Sequence, residues 1–357
     1  MPPHRSEEIP VELLDHADQV IQERFRRLEQ HHPALEQISA LGREQAARDM
    51  LAGTRPKPDL NETGRLIRQP LERPEASLKL GPLQLLVNEI KLPALPQVLL
   101  ELMQILDDPN SSAKDLAEVI RLDASLASYL LRLVNSAYYS FPFPIDTVDR
   151  AVTLLGTREI SSLAVSSSFL KMFKESSARF VTIEEFWKHS ISCGTAARVL
   201  ARRCGRSNPE RHFVAGLLHD LGRLVIFVHL PDLAEEMLAV EHWRDVSLYQ
   251  AEGELLGFDH GRFGATLLAN WNFPKTLVAA VQHHHAPQAA HEFDEPKTVH
   301  LANLITNGLG LGSSGDDHVP PLDVATWDEL GLAADELPAI VEELQAELKT
   351  MLSPIST

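Results

Sequence analysis

A histidine–aspartate pair, His219-Asp220, is the part of this chain best suited to chemistry, because it lies in an apolar stretch, AGLLHDLGRLVIF, that is predicted to be helical. An aspartate is rarely buried without a partner, so apolar flanks on both sides predict a polar pocket around the pair. Adjacent His and Asp side chains can bridge two cations, with the carboxylate between them. A hard oxygen ligand combined with imidazole favours Fe, Mn or Zn over Ca.

Further side chains that can bind metals flank this pair at helical spacing. Glu185 and His189 are four residues apart, so they share one face of a helix. His260 begins a later predicted helix, the run His283–His285 ends the next one, and Asn303 lies on the helix after that. Five successive helices therefore each offer a polar side chain among apolar neighbours. The alternative is a purely structural helical protein with ordinary core histidines.

The elements that must position these residues are helices almost throughout. Ser112 and Asp115 have the spacing of a capping box, and Asp123 and Asp146 are predicted N-caps of the next two helices. Alternating runs with hairpin turn residues are nearly absent. We therefore predict an all-α fold, a multi-helix domain with a helical N-terminal extension.

Composition and apolar periodicity divide the chain into four segments. The predicted segments are a helical extension at 1–52, a proline-rich linker at 53–82, a main domain at 83–310 with halves at 92–175 and 183–310, and a loop with a closing helix at 311–357. The helices of the extension have an apolar face that must be buried. They are expected to dock on the main domain or to pair with a second copy.

Length, composition and charge exclude several classes of protein. The chain has 357 residues, of which 44% are hydrophobic, as in an ordinary folded protein. No apolar run approaches the roughly 20 residues that span a bilayer, and the start lacks a signal-peptide pattern. The two cysteines lack metal-type spacing and are predicted to be reduced thiols, so we expect a cytoplasmic protein without membrane contact. The net charge of −17 argues against general nucleic-acid binding.

In combination, the motifs resemble those of an HDOD domain over about residues 83–310. The matching motifs are LPALPQ, LLRLVNSAYYS, AVTLLGTREI, FWKHSISCGTAARVLA, FVAGLLHDLGRLV, ELLGFDHGRFGATLLANWNFP and AAVQHHHAP. HDOD domains are a bacterial branch of the HD superfamily of metal-dependent phosphohydrolases and are related to the HD-GYP phosphodiesterases. The resemblance implies an HD-type helical fold and, position by position, a set of metal ligands. The implied ligands are Glu185, His189, His219, Asp220, His260, His284, His285 and, at the final position, Asn303.

The chain departs from the active relatives at three places. Asn303 stands where the family has a final aspartate, so one anionic ligand is missing. Arg223 replaces the lysine that follows the HD pair; it keeps a charge for phosphate but has a planar shape. The GYP loop after the paired histidines is absent, and the chain reads HAPQAAHEF there.

These departures favour a regulatory signalling module over a catalyst, with a divalent metal at low occupancy or absent. The acidic main domain and the N-terminal helices predict protein partners or a homo-oligomer. The alternative is a metal-dependent phosphohydrolase acting on a nucleotide or cyclic dinucleotide, with Asp220 and Arg223 as the candidate catalytic residues.

Overall fold

The computed structural model describes residues 11–53 and, apart from short gaps, residues 95–352, with a few isolated positions between them. Nearly all of the predicted linker, 54–80, and residues 136–138 of the NSAYY motif lie outside the described residues. The described residues form seventeen α-helices, two short 3₁₀ turns and no β-strand, which confirms the all-α fold class.

The helices follow one another with short connections. In chain order they are α1 (Val11–Phe25), α2 (Pro33–Leu51), α3 (Gln97–Asp107), α4 (Ala113–Arg121), α5 (Ala124–Val134), α6 (Val148–Leu155), α7 (Thr157–Phe173), α8 (Ile183–Arg203), α9 (Pro209–Leu218), α10 (Leu221–His229), α11 (Pro231–Arg244), α12 (Leu248–Leu256), α13 (His260–Asn270), α14 (Lys275–His283), α15 (Glu295–Leu309), α16 (Val324–Leu330) and α17 (Leu337–Met351).

Helix caps set the boundaries in the first half of the main domain. Ser112 and Asp115 form the predicted capping box of α4, and the Asp123 carboxylate accepts from two backbone N–H groups of α5. The predicted cap at Asp146 is wrong: α6 begins one residue later, and the Thr147 hydroxyl accepts from the Arg150 N–H. A side-chain cap acts from the residue directly before the first helical one, which here is the threonine.

The N-terminal helices dock on the same chain. Ala17 and Ala46 are buried in the contact between α1 and α2, while Ile38 of α2 belongs to the main core. A Cβ atom at Gly42 would lie 2.3 Å from the backbone oxygen of Gly308, so the backbones of α2 and α15 touch. The hairpin is therefore part of the folded body, and its self-association stays a prediction.

Two glycine contacts bring the helices of the second half close together. A Cβ at Gly194 of α8 would lie 2.6 Å from the carbonyl oxygen of Phe213 in α9. A Cβ at Gly222 of α10 would lie 2.2 Å from the carbonyl oxygen of His260 in α13. Because these glycines lie within a few residues of candidate ligands, their close packing sets the distances across the site.

The His219-Asp220 pair does not lie inside one helix, so that prediction is wrong. Helix α9 ends at Leu218 and α10 begins at Leu221, which puts the pair at a break. Asp220 occupies the N-cap position of α10, yet its carboxylate makes no capping hydrogen bond. The carboxylate is engaged elsewhere, by the imidazoles described below.

Helix α17 packs against α8 near the end of the described residues. Its buried stripe includes Leu337, Ile340 and Leu344, and Glu347 accepts from the buried Arg198 of α8 at 2.7 Å. In the described part of the chain, no single helix is long and apolar enough to cross a membrane; one sharply bent pair, Pro209–His229 with Pro231–Arg244, meets those criteria only jointly.

A pair of glycine substitutions tests the close packing of α10 on α13. Gly222→Ala puts a methyl group against backbone, so we expect a loss of about 1–3 kcal/mol in unfolding free energy. Gly253→Ala is the matched control, because a Cβ added at this helical glycine would have no neighbouring atom within 4 Å. The unfolding free energy of Gly253→Ala should rise by about 0.5–1 kcal/mol, because alanine favours the helix interior over glycine. Urea unfolding followed by circular dichroism measures both, and equal stability of the two variants would contradict the packing described here.

Candidate metal centre

Four buried imidazoles converge on the carboxylate of Asp220. Its Oδ2 lies 3.0 Å from Nε2 of His219 and 3.7 Å from Nε2 of His189. Its Oδ1 lies 2.8 Å from Nε2 of His260 and 4.0 Å from Nε2 of His284. All five side chains are buried, so each carboxylate oxygen faces a different pair of histidines.

The side chains form two groups that can each hold a metal ion. The first consists of His189, His219 and Asp220, and the second of His260, His284 and His285; within each group the ligand atoms lie within 4.8 Å of one another. Asp220 supplies Oδ2 to the first group and presents Oδ1 to the second. This is the arrangement of a carboxylate bridging two adjacent cations.

Hydrogen bonds fix the imidazoles in the tautomer that a metal requires. Nδ1 of His219 and Nδ1 of His284 each donate to the backbone carbonyl three residues earlier, at 2.7 Å. Nδ1 of His260 lies 2.6 Å from Oε2 of Glu252. Each contact leaves Nε2 directed at the cluster, as in metal sites where an outer partner orients the ligand.

Several polar atoms of the cluster lack a protein hydrogen bond. Among the described residues these include both ring nitrogens of His189 and Nε2 of His219, all fully buried, which meet their polar neighbours Asn303 and Asp220 without forming a well-aligned hydrogen bond. Buried polar atoms without partners are costly. A divalent cation satisfies such lone pairs, so the residues present fit a metal ion.

The protonation states of the metal-free cluster are mixed. Burial opposes a charged His219, yet Asp220 holds the pKa of that imidazole well above its usual range. Burial, reinforced by the charge on His219, lowers the pKa of His189 to about 4. Burial opposes the charge on Asp220, but His219 and Arg223 outweigh it and hold the pKa of that carboxyl well below its usual range. Burial and Arg223 oppose a charged His260, yet Glu252 and Asp220 raise its pKa to about 9. A metal held by this group would have to displace that proton, because a histidine ligates in its neutral form.

Arg223, the predicted phosphate-binding residue, lies beside the cluster and is already engaged. Its Nε donates to Glu252 at 2.9 Å, its Nη1 donates to the Ser314 hydroxyl at 3.2 Å, and its Nη2 lies 2.8 Å from Nδ1 of His260. The side chain is 3% exposed. The guanidinium thus neutralises a carboxylate of its own chain.

Glu252 is a central residue that the sequence analysis missed. Besides Arg223, it accepts from the backbone N–H of His260 at 2.8 Å and contacts that residue's imidazole. It lies on α12 and is fully buried. Glu254, on the same helix, is 38% exposed and pairs with Arg244 at 2.6 Å. Nothing in the local sequence separates these two glutamates.

The structure leaves Glu185 out of the cluster. Its side chain is 46% exposed, and its Oε1 lies 3.5 Å from Nζ of Lys188. The backbone at Gly312 packs against α8 between Glu185 and His189, where a Cβ would lie 2.3 Å from the His189 nitrogen. Glu185 and His189 are four residues apart and so share a face of α8, but only His189 reaches the cluster.

Asn303 and His283 have different surroundings. Asn303 is nearly buried, its side chain contacts the imidazole of His189, and its Oδ1 accepts from Asn307 at 3.0 Å. His283 instead lines a separate surface groove with Phe273 and Lys275. The run of three histidines thus supplies two residues to the cluster and one to the surface.

A cavity of about 190 Å³ opens beside the second group of histidines. Its walls include His285, Asn303 and Ser314, and Tyr249 stacks on the His285 ring with the ring centroids 4.4 Å apart. Arg27 and Leu28, from the segment after α1, complete the wall. The N-terminal extension therefore borders the approach to the candidate metal centre.

A helical domain with an HD pair surrounded by histidines defines an HD-type protein. The family model described as HDOD domain matches residues 92–287, more than half of the chain, and the chain therefore belongs to the HDOD family. The chain spans less than half the length of the curated relatives it matches. One of them, an uncharacterised protein of Treponema pallidum, is 26% identical over 232 residues, which are 64% of this chain and 44% of that protein.

Solved structures share the fold. An HDOD domain protein of unknown function from Geobacter sulfurreducens has a TM-score of 0.66 at 23% identity, covering 77% of this chain and 95% of its own. A Shewanella amazonensis protein provisionally named a phosphohydrolase has a TM-score of 0.60 at 24% identity, covering 77% and 97%. A Marinobacter aquaeolei protein provisionally named for signal transduction has a TM-score of 0.64 at 21% identity, covering 89% and 66%.

Neutralising Glu252 tests its place between Arg223 and His260. Glu252→Gln removes the nearest counter-ion of the buried guanidinium, so we expect a loss of about 3 kcal/mol or more in unfolding free energy. Glu254→Gln on the same helix is the control and should change stability by less than about 0.5 kcal/mol. Urea unfolding in the presence of EDTA keeps metal out of the comparison. A Glu252→Gln variant as stable as the control would refute the role given to Glu252.

Proposed function

We propose that this protein is a regulatory HDOD signalling module whose metal centre is retained for structure and ligand sensing rather than for turnover. The observation that carries the proposal is the ion pair between Arg223 and Glu252. It removes the guanidinium beside the cluster from the reach of a phosphate group. The provisional name of the Marinobacter aquaeolei neighbour is in keeping with a signalling role.

The metal would be held by side chains of both groups. His189, His219 and Asp220 would hold one ion, and His260, His284 and His285 would hold a second beside the shared carboxylate. When bound, such ions polarise an attached oxygen ligand and lower the pKa of bound water. Asn303 contributes a neutral amide where a carboxylate would add charge, so we expect fewer than two ions per chain.

The cavity also favours sensing over turnover of a nucleotide. Its volume of about 190 Å³ lies below the range of about 300–1,000 Å³ that is usual for small-molecule sites. Asn303 is held by Asn307, and Arg223 is held by Glu252 and Ser314. In this conformation the site has room for a small ligand next to the metal and little for a cyclic dinucleotide.

The second candidate is a metal-dependent phosphohydrolase. The convergence of Asp220 with five histidines favours it, because a site kept only for packing has no need of so many unpaired nitrogens. In that case, Asp220 would bridge the metals, and Arg223 would have to leave Glu252 in order to bind phosphate.

Metal content distinguishes a metal centre from a cluster of core histidines. Untagged protein purified without added metal should contain Fe, Mn or Zn by elemental analysis. His284→Gln should lower the affinity for metal by more than about 100-fold. Losing a residue that only orients a ligand typically costs about 10–100-fold, and His284 is a ligand itself. His283→Gln, one residue away and on the surface, should bind metal like the parent. Equal metal content in both variants, or none in the parent, would refute the metal centre.

Turnover distinguishes the two functions. We expect no measurable hydrolysis of cyclic dinucleotides or of bis(4-nitrophenyl) phosphate by the native protein loaded with Mn²⁺. Asn303→Asp adds the missing negative charge and should raise metal occupancy. Robust hydrolysis by the native protein, abolished in Asp220→Asn, would overturn the regulatory proposal in favour of the phosphohydrolase.

A further inference from the structure

The segment after α1 places an arginine in the wall of the cavity. Nη2 of Arg27 lies 2.7 Å from Oε1 of Glu241, and its Nε lies 3.0 Å from Oδ1 of Asp245. Its Nη1 lies 2.9 Å from Nδ1 of His318. Arg27 and Leu28 are wall residues of the cavity that also contains His285.

The three carboxylates that surround Arg27 form an acidic notch, defined here as Glu241, Asp245 and Asp316. Glu241 lies in the last turn of α11, Asp245 follows that helix, and Asp316 lies in the segment after α15. All three act on the Arg27 guanidinium, which is 11% exposed. The notch therefore holds Arg27 in the wall of the cavity, and Asp245 also pairs with the neighbouring Arg26 at 3.0 Å.

Helix α2 and the end of α1 are held by different interactions. Helix α2 packs through Leu35 and Ile38 into the main core, with its backbone against α15 at Gly42. The residues after α1 are held by Leu28, which packs against the main core, and by polar contacts: Arg27 in the notch, and Gln30, whose amide pairs with both backbone groups of Leu322 at 2.9–3.1 Å. Arg27 and Gln30 bond to residues outside α2, so breaking these contacts leaves the packing of α2 intact and lets this end release while α2 stays docked.

We propose that Arg27 is an autoinhibitory latch: seated in the acidic notch, it closes the cavity beside His285, and its release opens that cavity to ligands. This gives the N-terminal extension a regulatory role in cis. The proposal deepens the proposed function, since the cavity leads to the candidate metal centre, but closure of the cavity does not require a bound metal.

The latch predicts how accessible His285 is in metal-free protein. Diethyl pyrocarbonate modifies neutral imidazoles, and the rate at each histidine is read by peptide mass spectrometry. The full-length chain is held in EDTA, and His291, whose side chain is 80% exposed, serves as the internal reference. This measurement separates the latch from the metal proposal, because it gives a result whether or not the protein binds metal.

Two variants release the latch from opposite sides. Arg27→Ala removes the wall side chain and its ion pairs. Asp245→Asn leaves Arg27 intact and weakens its hold; asparagine tolerates the positive φ of 53° at this position. Arg43→Ala is the control, because Arg43 pairs with Asp18 inside the hairpin and does not line the cavity.

We expect Arg27→Ala to raise the rate of diethyl pyrocarbonate modification of His285 about 5- to 30-fold relative to that of His291. Asp245→Asn should raise it by a smaller factor, and Arg43→Ala should leave it unchanged. A rate within about twofold of the parent in both notch variants would overturn the latch. An increase in the modification rate in Arg27→Ala alone would also overturn it, because Arg27 would then be only a passive part of the wall. An equal increase in Arg43→Ala would overturn it as well, because it would show that the whole hairpin has loosened.

Discussion

The burial of one carboxylate, that of Asp220, is the constraint on which the rest of this structure depends. An isolated buried carboxylate is very costly in free energy, and Asp220 is only 2% exposed. Imidazole nitrogens and the nearby Arg223 supply its compensation. Several of those nitrogens form no well-aligned hydrogen bond, so a cation held there would satisfy lone pairs that the protein leaves poorly paired.

The surrounding elements can be understood as supports for that carboxylate. Glycines at the contacts between α8 and α9 and between α10 and α13 allow the ligand-bearing backbones to approach. The break between α9 and α10 frees Asp220 from capping its own helix. Glu252 then contacts both His260 and Arg223, so one buried glutamate orients an imidazole of the cluster and pairs with the guanidinium beside it. Under the proposed function, the same contacts would limit the reactivity of the site.

Much of this could be predicted from the sequence. Apolar periodicity and cap residues predicted the helices, because both act over a few neighbouring residues. The ordered histidines around His219-Asp220 predicted which helices meet. Glu252 and the acidic notch could not be predicted, since a buried and an exposed glutamate look alike in a single sequence. Glu185 shows the opposite error, because helical spacing fixes a face but not how far that face reaches into the site.

Anomalous diffraction from crystals of untagged protein, recorded at the Fe, Mn and Zn edges, tests the central claim most directly. A metal centre organised by Asp220 predicts an anomalous peak within about 2.0–2.2 Å of its carboxylate and of histidine Nε2 atoms. Absence of any peak, with Asp220 hydrogen-bonded to protonated imidazoles in well-ordered density, would contradict it and leave a charged but purely structural core.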